Sequence, residues 1–300
     1  MASTDTPSGG SHAAAQAALH AAEARFISNN PLSKAQHELA AGSLPGGNTR
    51  TLLHTSPFPL SMRQGKDCHV WDVDGHKYLD LVGELSAGLY GHTHPVIHST
   101  ILNTLTNVGL TLGSTTIHEQ LHASLLCSRF GLARVRMANT GTEANLHALA
   151  GARAYTGGAL AHSGTFNNNT MTMTVGYAAL KEVFTPEVCV EFREKGDRFR
   201  ERLREVAKGT RLTLTGIGSL IGVHFTKDGT QEISCGEDFR GKERADLRDL
   251  FWFEMLEKGF WTTRRGFIAM ILGTPDEELD RFVEEVKGFV DRHRNIMVLA

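Results

Sequence analysis

The chain has 300 residues and a formal net charge of −2, from 31 Lys and Arg residues against 33 Asp and Glu residues. This balance, with a pI near 6.7, argues against a nucleic-acid-binding protein, which usually has a basic face and a high pI. The apolar fraction of 41% is enough for a buried core, and no apolar stretch approaches the roughly 20 residues that cross a bilayer. The length predicts about two domains.

The cysteines indicate a reducing compartment. Cys68, Cys127, Cys189 and Cys235 are far apart and form no C-x-x-C pair, so the spacing predicts neither a zinc site nor a disulfide framework. Residues 1–11, which we expect to form a disordered tail, have neither the apolar segment of a secretion signal nor the basic pattern of a transit peptide. We therefore expect a cytoplasmic protein.

The pattern of apolar residues predicts a mixed α/β chain. The predicted elements begin with two helical pieces over 12–42, a β-hairpin from Phe58 with its turn at Asp74-Gly75, and helices from Pro95 and over 116–130. They continue with a strand at 135–139 that runs into a helix, a helix over 170–184, a charged helix to Lys208, two strands around 216–218, and a helix, a strand pair and a final helix from Pro275. The Asp-Gly turn is a strong hairpin signal.

The junction Asn139-Thr140-Gly141-Thr142-Glu143 is the most informative local motif. A strand that ends in small residues at the start of a helix brings unpaired N–H groups together where the helix dipole is positive, which favours an anion such as phosphate. The same residues fit a second interpretation. Thr140-x-x-Glu143 matches a capping box, which any well-capped helix can contain.

Other polar residues also have two interpretations. The loop His162 to Asn169 offers hydroxyls and amides before a helix, or is an ordinary polar turn. Arg50 and Arg265 could each hold a carboxylate bidentately, although surface arginines are more common. The spacing His92-x-His94-x-x-x-His98 suggests a metal site, but no carboxylate or thiolate nearby completes a ligand set.

The order of the motifs GGNTR, VWDVDGHKYLDLV, LYGHTHP, ANTGTEANLHALAGARAYTG, AHSGTFNNNTMTMTVGYAAL and RRGF resembles the class III aminotransferases. These are fold type I enzymes that use pyridoxal phosphate (PLP). The likeness extends from about Phe26 to Val290 and is greatest to β-phenylalanine-type transaminases and glutamate-1-semialdehyde aminomutase. It implies an α/β fold with a parallel-sheet large domain, here truncated, and a small α+β domain. It also implies transamination between an amino acid, such as a β-amino acid, and a 2-oxo acid.

The resemblance assigns roles to six residues. It implies that Gly141 and Thr142 hold the PLP phosphate, and that Thr165 reaches the phosphate of the neighbouring subunit in a homodimer. Two arginines, Arg50 and Arg265, would bind substrate carboxylates. The remaining residue, Tyr90, would line the substrate pocket.

The chain departs from the family between Gly157 and Gly158, where the family has a long central stretch. That stretch holds the aromatic residue that stacks on the pyridine ring, the Asp that pairs with the ring nitrogen and the Lys that forms the Schiff base. PLP acts as an electron sink only when the protein supplies such partners. We therefore expect non-covalent PLP binding at best, no catalysis by this chain, and poor packing around residues 133–185.

The expected organisation is the tail, N-terminal helices and hairpin over 12–93, a remnant of the PLP-binding large domain over 94–185, and a C-terminal small domain over 186–300. The gap could be a gene-model or splicing artefact, or a real deletion in an evolved non-enzyme. We favour the artefact, because Arg50, Thr142 and Thr165 keep the residue types that the active family requires. The alternative functions are a non-catalytic dimerisation partner of an intact paralogue and a glutamate-1-semialdehyde aminomutase-like reaction.

Overall fold

A computed structural model describes residues 8–50, 54–110, 112–157, 167–230 and 232–299. The backbone divides into two compact units. Unit 1 combines residues 1–93 with residues 190–300, and unit 2 consists of residues 94–189. Of the tail predicted over residues 1–11, residues 1–7 lie outside the described ranges, and Ser8 begins a helix.

Helices provide most of the regular structure. They are α1 (Ser8–Asn29), α2 (Pro31–Ala41), α3 (Pro95–Asn107), α4 (Ile117–Phe130), α5 (Gly141–Tyr155), α6 (Thr170–Ala178), α7 (Pro186–Ala207), α8 (Gly236–Phe239), α9 (Ala245–Glu257), α10 (Asp276–Arg292) and α11 (Arg294–Met297). A π-helical turn, Ala179–Val183, follows α6. None of the helices in the described part of the chain has the length and apolar character required to cross a membrane.

Unit 1 contains two small sheets. The strands are β1 (Met62–Lys66), β2 (His69–Asp72), β3 (Lys77–Asp80), β4 (Leu212–Ile217), β5 (Leu220–Phe225), β6 (Phe260–Trp261) and β7 (Phe267–Ala269). The first sheet has the order β1-β2-β3-β6, with β3 and β6 parallel, and the second is the antiparallel sheet β4-β5-β7. The predicted hairpin is confirmed as β2 and β3.

The turn of that hairpin also holds α2. Both carboxylate oxygens of Asp74 accept backbone N–H groups at the start of the helix, from Leu32 at 2.7 Å and from Ser33 at 2.9 Å. The Ser33 hydroxyl donates to the same carboxylate at 2.6 Å. Asp74 therefore satisfies N–H groups that the first helical turn leaves without partners, and a negative charge at a helix N-terminus is favourable.

The core of unit 1 is aromatic. Phe251, from α9, meets Phe282 and Phe289 from α10 edge to face, with ring centroids 6.5 Å and 5.2 Å apart. Phe225 of β5 packs on Phe251 at 5.5 Å, and the rings of Phe225, Phe282 and Phe289 are fully buried. Edge-to-face aromatic contacts add stability beyond the burial of apolar area. This cluster fixes α9 and α10 against the second sheet.

Unit 2 is helical in its described residues and has little core. Apart from alanines, its buried apolar side chains there are Met173 and Val183. Large apolar side chains of the same unit are instead exposed: Leu102, Leu105, Leu110, Leu112, Ile117, Leu121, Phe130, Leu132, Leu146, Leu149 and Tyr155. A helix with an exposed apolar face is missing the element that would normally cover that face.

The strand predicted at residues 135–139 is not formed. The backbone there has no strand assignment, and no described residue pairs with it. A β-strand needs a neighbouring strand to satisfy its N–H and C=O groups. The described part of unit 2 contains none, so this prediction was wrong for the chain as it stands.

Candidate functional site

A cavity of about 440 Å³ in unit 1 brings together two of the predicted site residues. Arg50 follows the N-terminal helices, and Arg265 lies in the loop between β6 and β7. These arginines are 215 positions apart in the chain, yet both line this cavity. The size is within the usual range for small-molecule pockets.

The loop that carries Arg265 is fixed by its own hydrogen bonds. The Thr263 hydroxyl donates to the Phe267 carbonyl and accepts the Phe267 N–H, each at 2.8 Å. Gly266 has a φ of +82°, and a Cβ at this position would come within 2.1 Å of the Val223 carbonyl oxygen. Only glycine fits this close approach. The backbone next to Arg265 is therefore held tightly against β5.

The two adjacent arginines of this loop have different surroundings. Arg264 donates to Asp249 at 2.7 Å and to the Ser56 carbonyl. Its guanidinium also lies 5.5 Å from the Trp252 ring centroid and 5.3 Å from that of Phe253. Arg265 is exposed and has no carboxylate partner among the residues that the structure describes. Arg265 is therefore the guanidinium of this loop that can hold a ligand carboxylate bidentately.

Aromatic rings form the apolar part of the cavity. Trp252, Trp261 and Phe267 all line it. The Trp252 indole N–H donates to the Thr262 carbonyl at 3.0 Å, which fixes the orientation of that ring. A cationic end and an aromatic wall together suit a ligand that carries both a carboxylate and an aromatic group.

The opposite wall contains Glu84, a residue that the sequence did not single out. Its Oε2 lies 2.6 Å from Nη1 of Arg50. Glu84 belongs to the turn Gly83–Ser86, whose four residues all have positive φ, at +48°, +48°, +56° and +87°. Three consecutive non-glycine residues in this region are strained. No sequence signal marks such a run, because only Gly83 is a residue that favours it.

Buried Asp80 holds that turn. Its Oδ1 accepts the N–H groups of Val82 at 2.8 Å and Gly83 at 3.0 Å, and its Oδ2 lies 3.0 Å from Nε2 of His92. The hydrogen bond that His92 donates to Asp80 is the main cause that raises the pKa of His92. Of the three histidines with metal-like spacing, His92 is therefore engaged by a carboxylate. No group of three or more His, Cys, Asp or Glu side chains among the described residues is arranged to bind a metal.

Of the other predicted site residues in loops, Tyr90 does not line this cavity, and Thr165 is not described. Tyr90 is half-buried in the loop that precedes α3 and is not among the residues that line the 440 Å³ cavity. Thr165 lies in the stretch 158–166, outside the described residues. Asn167, which follows that stretch, accepts a hydrogen bond from the Asn139 amide at 2.5 Å.

In unit 2, the start of α5 is a helix N-terminus capped by side chains of the sequence motif. The Thr140 hydroxyl caps the helix by accepting the Glu143 N–H at 3.1 Å. The Glu143 carboxylate reaches back to the Asn139 N–H at 2.9 Å, one residue earlier than a regular capping box, and this bond is the main cause that lowers the pKa of Glu143. Within the described ranges, no acceptor takes the N–H of Gly141 or Thr142.

These two amides leave room for an anion. Both residues are exposed, and a Cβ at Gly141 would meet nothing within 4 Å. N–H groups at a helix N-terminus favour phosphate. The geometry of α5 is therefore compatible with the predicted phosphate site at Gly141 and Thr142.

Comparison with known proteins shows that the chain is similar to aminotransferases. The family model "Aminotransferase class-III" matches residues 53–160. An uncharacterized aminotransferase of Schizosaccharomyces pombe is 28% identical over 421 positions, covering 92% of this chain and 95% of the relative. The beta-phenylalanine transaminase of Variovorax paradoxus is 26% identical, covering 96% and 99%. Its solved structure matches with a TM-score of 0.90 over 95% of this chain and 100% of that chain.

A shorter match is to the glutamate-1-semialdehyde 2,1-aminomutase of Chlorobium phaeobacteroides. It is 38% identical over 124 residues, which cover 40% of this chain and 29% of the relative. The expected fold class is confirmed, since the solved structures that match, two aminotransferases and a glutamate-1-semialdehyde aminomutase, have fold type I.

The alignments contain a large internal gap. The alignment with the S. pombe relative extends over 421 positions, but 92% of a 300-residue chain supplies only about 276 of them. About 145 positions of that relative therefore have no counterpart here. The match to the family model ends at residue 160, three positions beyond Gly157.

PLP is the cofactor of this family, as the sequence resemblance implies, and solved structures with this fold contain it. The residues of unit 2 fit only its phosphate end. This unit has no aspartate to pair with the ring nitrogen, and its single lysine is Lys181. The Lys181 ammonium lies 5.2 Å from the Tyr177 ring centroid, in the turn after α6. Unit 2 therefore does not offer the groups that PLP needs to act.

Proposed function

We propose that this chain belongs to the class III aminotransferases of fold type I, and that its lineage transfers an amino group between a β-amino acid and a 2-oxo acid. In this proposal the arginine-lined cavity of unit 1 takes the carboxylates, and the start of α5 takes the cofactor phosphate. We further propose that the present 300-residue chain is catalytically silent.

One observation carries the substrate part of the proposal. Arg50 and Arg265, from distant parts of the chain, line the same cavity together with aromatic rings. An arginine fork matches the two oxygens of a carboxylate, and the aromatic wall suits an aryl group. The relative that is named a beta-phenylalanine transaminase supports this choice of substrate class. The aminomutase-like alternative has less support, because that match covers 29% of the relative.

The chemistry of unit 2 supports catalytic silence. Transamination requires an amine that forms and breaks a Schiff base and moves a proton at the substrate carbon. Residues 94–189 contain no aspartate, and their single lysine, Lys181, lies against a tyrosine ring. Gly141 and Thr142 could orient a phosphate, but they supply neither the Schiff-base amine nor the group that moves the proton.

We infer that the gap near Gly157 and Gly158 is a gene-model or splicing artefact. The end of the family match at residue 160 and the exposed apolar faces of unit 2 support this inference. Sequencing of transcripts across the codons of these two glycines tests it. Reads with an additional coding stretch of about 145 codons would support the artefact, and reads that run directly through would establish a real deletion.

Binding of 3-phenylpropionate, measured by titration calorimetry, tests the carboxylate site. Replacing Arg265 by Gln should weaken binding by about ten-fold, since a hydrogen bond to a charged group contributes about 1.5–3 kcal/mol. Arg240→Gln is the matched control, because Arg240 is exposed, pairs with Glu237 and does not line the cavity. Equal affinities for the wild-type protein and both variants would refute the site.

Reductive trapping tests catalytic silence. The chain is mixed with one equivalent of PLP, treated with borohydride and analysed by peptide mass spectrometry. We expect only scattered traces of reduced adduct over the ten lysines. A stoichiometric adduct on a single lysine would contradict the proposal, because it would identify a Schiff-base residue in this chain.

The proposal includes a cytoplasmic homodimer in which Thr165 of each subunit serves the partner's phosphate site. A second candidate function is a non-catalytic dimerisation partner of an intact paralogue, and the exposed apolar faces of unit 2 favour it. Co-purification of the two chains would support this candidate. A chain that is strictly monomeric and does not bind the paralogue would exclude this second candidate function.

A further inference from the structure

We propose that Glu84 is an internal carboxylate ligand of Arg50, which a ligand carboxylate must displace before it can use that arginine. This inference rests on the proposed function, because it concerns the same carboxylate site. It makes Glu84 a specificity-determining residue. While Glu84 is in place, the cavity offers Arg265 to an incoming carboxylate, and Arg50 becomes available only after Glu84 has moved.

The contacts of the four arginines that line the cavity lead to this assignment. Arg248 is paired with Glu243 and Asp249, and Arg264 is held by Asp249 and two aromatic rings. In contrast, the polar contact that Arg50 makes among the described residues is with Glu84, at 2.6 Å. Glu84 therefore occupies the position that a ligand carboxylate would take on Arg50.

This ion pair is easy to exchange. The side chains of Arg50 and Glu84 are 46% and 58% exposed, and exposed pairs are only weakly stabilising because water screens them and two long side chains must be ordered. A ligand carboxylate brings the same charge and geometry as the Glu84 carboxylate. It can therefore replace Glu84 on Arg50 at a small cost.

The position of the Glu84 backbone does not depend on Arg50. The Gly83–Ser86 turn is fixed by the two N–H groups that Asp80 accepts and by the Gly88 N–H, which donates to the Gly83 carbonyl at 2.8 Å. Strained residues persist where the surrounding structure determines them, often at functional sites. The turn therefore presents Glu84 to the cavity whether or not Arg50 is paired, and a change of the carboxylate should leave the fold intact.

A second cavity provides space for the displaced carboxylate. It has a volume of about 310 Å³ and shares Val82, Glu84 and Trp261 with the first cavity. Arg63 and His92 also line it. His92 is already paired with Asp80, which lines the same cavity, so Arg63 is the cationic side chain there that a Glu84 carboxylate can meet after it leaves Arg50.

The test measures 3-phenylpropionate binding by titration calorimetry on the full chain with Glu84→Gln, Arg50→Gln and the double variant. We expect Glu84→Gln to tighten binding by up to about five-fold, which corresponds to the upper end of about 1 kcal/mol for an exposed ion pair. In the Arg50→Gln background the same change should have no effect, because no arginine remains to be released. Glu277→Gln, an exposed charge at the start of α10, is the control for net charge.

The outcomes separate this inference from the proposed function. If Arg265→Gln weakens binding but Glu84→Gln changes nothing, the carboxylate site stands and the role of Glu84 is refuted. An equal gain from Glu84→Gln with and without Arg50 also refutes it, since the gain would then come from the general loss of a negative charge. If neither the wild-type protein nor Glu84→Gln binds, both proposals fail. Unchanged near-UV circular dichroism of Glu84→Gln establishes that its fold is intact.

Discussion

Replacing Asp80 by Asn should loosen the wall of the arginine cavity in a pH-dependent way. Asp80 is 4% exposed and makes three polar contacts, to the N–H groups of Val82 and Gly83 and to Nε2 of His92. The substitution keeps the shape and one oxygen but removes the charge. Any change therefore reports the charge-assisted part of these contacts.

The three polar contacts of Asp80 determine how much unfolding free energy the substitution should remove. A hydrogen bond to a charged group contributes about 1.5–3 kcal/mol, against about 0.5–1.5 kcal/mol for a neutral pair. With about 1 kcal/mol lost at each of the three contacts of Asp80, the free energy of unfolding of unit 1 should fall by about 3 kcal/mol at pH 5.5.

The pH dependence follows from His92. Its pKa is raised in the folded protein, chiefly by the hydrogen bond with Asp80. The stability from this pair is therefore fully present below the unfolded value of about 6.5 and is lost as the pH rises through the folded pKa. The difference between the wild-type protein and Asp80→Asn should accordingly be larger at pH 5.5 than at pH 8.5.

Urea denaturation followed by tryptophan fluorescence measures this difference, because Trp252 and Trp261 both lie in unit 1 near the cavity. Asp291, exposed on α10 and 4.0 Å from Arg294, is changed to Asn as the matched control and should alter stability little. A loss below about 0.5 kcal/mol, the range of ordinary surface substitutions, would refute the reasoning. A loss that is equal at both pH values would refute the part that concerns His92.

Three further predictions concern packing, protonation and backbone strain. Phe289→Ala, in the fully buried aromatic cluster, should lower the free energy of unfolding by about 3–5 kcal/mol. Phe130→Ala, at a site 60% exposed in unit 2, should lower it by under about 0.5 kcal/mol. Equal losses in urea denaturation would contradict this difference in packing. Burial lowers the pKa of His122, whose ring lies against Gly176. The protection factors of the α4 amides, which correct hydrogen exchange for its intrinsic pH dependence, should therefore decrease as the pH falls below about 6.5 and the imidazole must take a proton. A His122→Leu variant should lack this decrease, and its persistence would exclude His122 as the cause. Ser86 has a φ of +87°. Ser86→Gly should therefore raise the stability of the protein by up to about 1 kcal/mol, and Ser86→Val should lower it. A Val variant that unfolds at a higher temperature than the Gly variant would refute the backbone strain.

Some features of the fold and the site follow from local sequence. The Asp74-Gly75 turn and its flanking alternation predicted the hairpin of β2 and β3, and the Thr140 cap predicted the start of α5. Both depend on contacts between residues close in the chain. The lack of an aspartate that could pair with the PLP ring nitrogen was also predictable, since the sequence contains no aspartate between residues 94 and 189.

Other local predictions failed or were incomplete because they depended on distant partners. The β-rich pattern at residues 135–139 predicted a strand, but a strand forms only beside another strand, and the described part of unit 2 has none. The helices of this unit likewise have apolar faces that the sequence marks as buried and the structure leaves exposed. A propensity is a weak preference that the tertiary environment can override.

The sequence by itself determined the resemblance to class III aminotransferases and the helix and hairpin signals. It also showed that residues 94–189 contain a single lysine and no aspartate. Only the tertiary structure decided which groups meet at the cavity that Arg50 and Arg265 line. It places Arg50 and Arg265 in the walls of one cavity, and it pairs Arg264 with Asp249 beside two aromatic rings. A turn of residues with positive φ brings the Glu84 carboxylate into an ion pair with Arg50. The physical reason is that motifs and caps arise from neighbours in the chain, whereas the pairing of a charge depends on side chains that folding brings from far away.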